Sequence, residues 1–173
     1  MKSKTPEFKG QYPASIHFEK NGNFVMEVTS IVSSTMMRMS GSSAQGIEIF
    51  VPSKSQYNRK GVRSYLGLEY PVLTQLLQGD LPCPEAGGKR KVTVDQNAII
   101  SLSTEWKWVF ERSDVAHGSV PVVIHLSPVA GSETALIEMK IEEWDQAEHY
   151  AKKVNITTPQ GELKWTWRSR KLD

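Results

Sequence analysis

The feature that most constrains this chain is a two-residue alternation carried by its largest side chains. Trp106, Trp108 and Phe110 alternate with Lys107, Val109 and Glu111, and Leu163, Trp165 and Trp167 alternate with Lys164, Thr166 and Arg168. Successive side chains of a β-strand point to opposite faces, so each apolar set shares one face. A helix would scatter the same residues around its circumference. Four of the five tryptophans therefore stand on apolar strand faces, and each large aromatic buries ~150–250 Å² when covered.

The same alternation recurs along the chain. Asn21-Gly22 separates Ser15–Lys20 from Asn23–Val32, and Asn-Gly is the preferred pair for a type I′ hairpin. Thr35–Met39 and Ile47–Val51 follow, joined by the small-residue loop Gly41, Ser42, Ser43, Ala44, Gln45 and Gly46. Further strands are expected at Lys91–Val94, Ala98–Ser103, Trp106–Arg112, Val120–Ser127, Thr134–Trp144, Tyr150–Thr158 and Glu162–Arg170. One helix interrupts them. Tyr70–Gln78 carries Pro71 at a first-turn position, Val72, Leu73, Leu76 and Leu77 on one stripe, and Gly79 as its stop. Residues 1–13 and 52–68 are polar and read as a lead-in and a basic connecting stretch. The layout predicts a mainly β, α+β chain: a meandering antiparallel sheet with the helix on one face. A length of 173 residues fits a single domain, 14–173, after the lead-in.

Two readings of the aromatic rings stand side by side. Large aromatics on an inner strand face are mostly core. Yet about ten strands offer more inner face than one short helix covers, so the remainder is closed by other elements, a partner or a ligand. A curved sheet around an apolar cavity satisfies that count.

Chemistry leaves little trace. His17, His117, His125 and His149 have no metal-ligand spacing, so no metal or cofactor is expected. No nucleophile elbow, phosphate loop or dinucleotide fingerprint occurs. Glu138, Glu142 and Glu143 could form a carboxylate pair, but the alternation assigns them to a solvated strand face. An enzyme is not expected. The net charge of +2 is too small to call for nucleic acid. Lys54, Arg59, Lys60 and Arg63 read as solvated loop charge, with contact to anionic lipid headgroups as the functional alternative. Cys83 is the only cysteine, so no intrachain disulfide forms. No apolar run spans a membrane, and the first residues carry no apolar signal segment.

In this order and spacing the chain resembles the LolA/LolB superfamily of bacterial lipoprotein carriers and receptors, most of all its LolB-like outer-membrane lipoproteins. The resemblance spans roughly residues 14 to 170. Met37-Arg38-Met39 looks like the strand before the family's loop, Gly41–Gly46 falls at that loop, and Leu68–Pro82 looks like the family's helix and its Leu-x-Gly-x-Pro-like stop. Trp106–Phe110 and the strand ending in Trp144 follow in family order. The resemblance implies an incomplete, strongly curved antiparallel barrel with short helices covering its concave face. It also implies an apolar cavity that receives acyl chains of lipoproteins, on the periplasmic side of the bacterial outer membrane. Anchoring through a lipidated cysteine would make residues 1–13 a tether. One departure matters: the receptor branch displays a bulky apolar side chain on its protruding loop, whereas residues 41–46 offer only Ala44.

The expected function is binding of an acyl chain or lipid by Leu73, Leu76 and Leu77 of the helix together with Trp106, Trp108, Phe110, Trp165 and Trp167 of the sheet. A structural or assembly protein of the envelope that binds another protein is the alternative, and an enzyme on the same sheet a third.

Overall fold

The structure is a computed structural model that describes residues 1–5, 9–82, 91–94, 98–102, 106–112, 121–128 and 137–169. The chain opens with β1 (Lys2–Lys4) and β2 (Lys9–Gln11), then runs through β3 (Ala14–Phe18), β4 (Phe24–Thr29), β5 (Thr35–Ser42) and β6 (Gly46–Phe50). After a 3-10 turn at Ser55–Tyr57 come β7 (Arg59–Val62), β8 (Ser64–Tyr65), β9 (Leu68–Glu69) and α1 (Tyr70–Gln78). The second half holds β10 (Lys91–Val94), β11 (Ala98–Leu102), β12 (Trp106–Arg112), β13 (Pro121–Pro128), β14 (Ile137–Asp145), β15 (Tyr150–Thr158) and β16 (Gly161–Thr166).

These strands form two main antiparallel sheets. The smaller is the meander β3-β4-β5-β6-β7. The larger runs β10-β11-β12-β13-β14-β15-β16 and is extended by β1 and β2 beside β16. Neither sheet closes on itself or curls strongly. Alternation places Phe24, Met26 and Val28 of β4 in the same core as Met139 and Ile141 of β14 and Val154 and Ile156 of β15. The two apolar faces thus share one core, and the opposite face of β14 carries Glu138 and Lys140.

α1 seals part of this core. Pro71 sits in its first turn, and Gly79 ends it at φ 82°. There the amides of Gly79 and Asp80 bond to the carbonyls of Leu76 and Gln75 (3.0 and 2.9 Å), a Schellman-type stop that a β-carbon would strain. The Gly79 carbonyl then accepts the Ala151 amide (2.7 Å), tying the helix end to β15. At the other end the Tyr70 hydroxyl donates to the Gly22 carbonyl (2.7 Å), and its ring stacks on Phe24.

Several expectations need correction. Residues 1–13 are not merely a lead-in: β1 pairs with β16 and β2 with β1, and Ser3 and Thr5 are fully buried. The polar stretch 52–68 contributes three short strands and buries Tyr65, Leu66 and Leu68. Asn21-Gly22 does not form a type I′ turn, because only Gly22 has positive φ. Asn21 Oδ1 instead accepts the Asn23 amide (2.9 Å) within a longer connection.

The six-residue loop 41–46 is also shorter than expected. Gly41 and Ser42 end β5, Gly46 begins β6, and only 43–45 turn. Gly41 belongs to the sheet because a β-carbon there would lie 2.3 Å from the Phe24 ring.

Candidate functional site

β1 pairs with β16 only as far as Lys164, so Trp165 and Thr166 run past the strand that covers their neighbours. On the other side β3 pairs, among the described residues, with β4 alone and keeps a free edge. Where these two incomplete borders meet, an open cleft of about 960 Å³ remains. Ligand sites typically measure on the order of 300–1,000 Å³. One wall is Gln11–Ile16 and the other Lys164–Ser169, with Met1 and Lys2 between them. Inward it narrows to a recess of about 40 Å³ that reaches Met26 and Leu77.

The cleft combines apolar walls with one sign of charge. Ile16, Trp165 and Trp167 supply the apolar surface. Trp165 is 7% exposed and Trp167 partly buried, and neither indole N–H has a hydrogen-bond acceptor among the described residues. The charged residues that line the cleft are Lys2, Lys153, Lys164 and Arg168, with no carboxylate among them. Lys153 and Lys164 both pair with Glu142, Lys153 at 3.0 Å. The hydrogen bond from Lys164, reinforced by Lys153, holds the Glu142 carboxyl below its usual range despite partial desolvation. Lys2 and Arg168 make no ion pair among the described residues.

The structure separates the residues that the sequence grouped. Leu77, Trp165 and Trp167 reach the cleft or its recess. Leu73, Leu76 and Trp108 are buried in the core, as Leu77 and Trp165 also are, and Phe110 and Trp167 pack against it, Phe110 stacked on Trp108 at 6.0 Å. Trp106 is described only by its backbone, opposite Pro128; its side chain lies outside the described residues.

The basic group Lys54, Arg59, Lys60 and Arg63 is exposed at and around β7, the edge of the small sheet opposite β3. It is therefore no part of the cleft. Lys54 lies over the Tyr57 ring, and Arg59 donates to the carbonyls of Gln56 and Asn58 (2.8 and 2.9 Å).

A feature missed in the sequence lies at the β4–β5 hairpin. β4 ends at Thr29, three residues before the expected boundary, and leaves Ile31 and Val32 at 93% and 83% exposure on the tip. Ser33 there has φ 61°. The register Ala14↔Val28, with the Thr29 amide on the Pro13 carbonyl (3.0 Å), puts this tip at the end of the small sheet where Pro13 and Ala14 line the cleft. The 43–45 turn lies at the other end, beyond the pair Phe24↔Gly41. Two bulky apolar side chains in water at a turn were the available signal, but strand propensity absorbed them into the preceding element.

The remaining candidate chemistry is engaged in pairs. Glu143 bonds Lys152 (2.6 Å), Glu138 bonds Lys140 (3.1 Å), and His125 Nε2 lies 3.1 Å from Glu111. Among the described residues no three His, Cys, Asp or Glu side chains group to hold a metal, and no helix is long and apolar enough to cross a membrane. His117 and Cys83 lie outside the described residues. No family model matches the chain, and neither a curated protein nor a solved structure is found similar to it.

Proposed function

We propose that the chain is a non-enzymatic carrier or receptor that holds an acyl chain, of a lipoprotein or a lipid, in the cleft between β3 and β16. The observation that carries this reading is the cleft itself: an opening of about 960 Å³ walled by Ile16 and two indole rings, with Leu77 and Met26 at its inner end. Apolar burial contributes about 0.8 kcal/mol per methylene, so affinity rises with chain length. On this reading the two sheets are the halves of an interrupted, half-open barrel, α1 sits in its concavity and the cleft is the mouth. The exposed Ile31 and Val32 tip at the same end of the small sheet supports contact with a membrane surface. Lipoprotein or lipid trafficking at the periplasmic side of a bacterial outer membrane is the setting that fits both features.

The test is quenching of tryptophan fluorescence by a bromine-labelled fatty acid or lipopeptide titrated into the purified chain. Saturable quenching that the Trp165→Phe/Trp167→Phe double variant abolishes is expected. Linear, unsaturable quenching would refute the carrier reading.

A second reading rests on the free edge of β3, whose Ala14, Ser15 and Ile16 line the cleft. A peptide strand from another envelope protein could add to that edge. Protection of the Ser15 and His17 amides from hydrogen exchange by a co-purifying protein, and not by lipid, would favour it.

A further inference from the structure

Resting on the acyl-chain reading of the cleft, we infer that its occupant is an amphiphile with an anionic, hydrogen-bond-accepting head, a carboxylate or a phosphate. The argument starts from charge. Four cationic side chains line the cleft and, among the described residues, no carboxylate does. Glu142 pairs with both Lys153 and Lys164, and Glu162, paired with Lys4, also feels Lys2 and Lys164, so two carboxylates face five cations counting Arg168. Lys2 and Arg168 stand at opposite ends of the same short segment of border, one on β1 and the other just beyond β16, and neither has a carboxylate within ion-pair distance among the described residues. Like charges gathered in one concavity raise the local potential and attract the opposite sign.

The second observation is independent of charge. Trp165 and Trp167 offer the cleft apolar ring surface, their indole nitrogens being buried away from solvent. Both rings belong to the cleft wall, and Thr166, between them, lines it as well. A negatively charged head with an apolar tail answers both the cations and the rings. A hydroxyl head leaves the cations unanswered, and an ammonium head is repelled by them. The apolar recess at Met26 and Leu77 leaves the tail an inward direction, with the head toward Lys2 and Arg168.

The experiment compares four ligands of one tail length below their micellar concentrations, by calorimetric titration of the full chain: oleate, oleoyl lysophosphatidic acid, oleyl alcohol and oleylamine. The carboxylate and the phosphate are expected to bind at least ten-fold more tightly than the alcohol, with oleylamine weakest and the preference shrinking as salt rises. Which of the two anions binds more tightly identifies the head as a carboxylate or a phosphate. The Lys2→Gln/Arg168→Gln variant should reduce the anion preference to less than about three-fold and leave the urea unfolding midpoint unchanged, so that loss of preference is not misfolding. Equal binding of alcohol and anions, or a preference that survives the double variant, overturns the headgroup assignment and leaves the acyl-chain reading intact. Failure of all four ligands to bind overturns the acyl-chain reading itself.

Discussion

Two aromatic ladders of similar sequence are buried to similar depth and differ in what borders them. Trp108 and Phe110 on β12 stack on one another between β11 and β13, and Trp108 is buried at 5% exposure. Trp165 lies on an equally apolar face of β16 and Trp167 just beyond its end, but β1 stops covering that strand at Lys164. Both ladders pack in the core, and the second also lines the cleft. An aromatic stripe thus borders open space where a neighbouring strand falls short.

The largest expected effect lies on the core side. Trp108→Ala should cost about 3–5 kcal/mol of stability, read as a fall in the urea midpoint at unchanged slope. Trp167→Ala, which removes a partly buried ring, should cost about 1–2 kcal/mol and yet abolish ligand binding. If the two variants were equally destabilised, the distinction between the ladders would be lost.

A smaller effect on stability sharpens the cleft side. Ala14 is exposed on β3 and lines the cleft. Ala14→Trp should change stability by no more than about 0.5 kcal/mol, as surface substitutions do, while filling the cleft and weakening acyl-chain binding at least ten-fold in the same titration. Unchanged affinity would move the ligand elsewhere.

Glu142 sets the smallest effect. Its carboxyl pKa is lowered in the folded chain, first by the hydrogen bond from Lys164 and then by Lys153. A lowered folded pKa means stability that is present above the unfolded carboxylate's value and is lost as pH falls through the folded value. Glu142→Gln should therefore lower stability at pH 7 by less than about 1 kcal/mol, the scale of exposed ion pairs. The difference from wild type should vanish in acid, below the folded pKa. The same variant frees Lys153 and Lys164 and should tighten oleate binding modestly.

The exposed hairpin adds a comparison within the small sheet. Its two ends carry turns of opposite character: Ile31 and Val32 at one, Ser43, Ala44 and Gln45 at the other. Ile31→Ser/Val32→Ser should abolish co-flotation with lipid vesicles and leave the unfolding midpoint unchanged. The Ala44→Ser variant should alter neither.

Much of the fold is legible in the sequence because its signals are local. β10, β12, β15 and α1 lie at the boundaries that alternation and the Pro71 and Gly79 signals place. What was missed depends on neighbours. Lys2–Lys4 and Lys9–Gln11 have no strand pattern of their own, and become strands because β16 presents an unpaired edge to β1. Gly41 reads as loop in composition, yet is strand because only a missing side chain lets the Phe24 ring lie against it. Of the proposed apolar site, Leu77, Trp165 and Trp167 remain, since parity tells which residues share a face and not what lies opposite that face.

The sequence by itself determined the period-two faces, the helix Tyr70–Gln78 with its stop, and the engagement of most charges on solvated surfaces. These follow from steric preferences and hydrophobic spacing within a few residues. Only the tertiary structure decided where one sheet's edge fails to meet the other's, and so which tryptophans border open space. Strand-edge coverage is a relation between residues more than a hundred positions apart, Ala14 and Trp165 among them, and no local spacing encodes it.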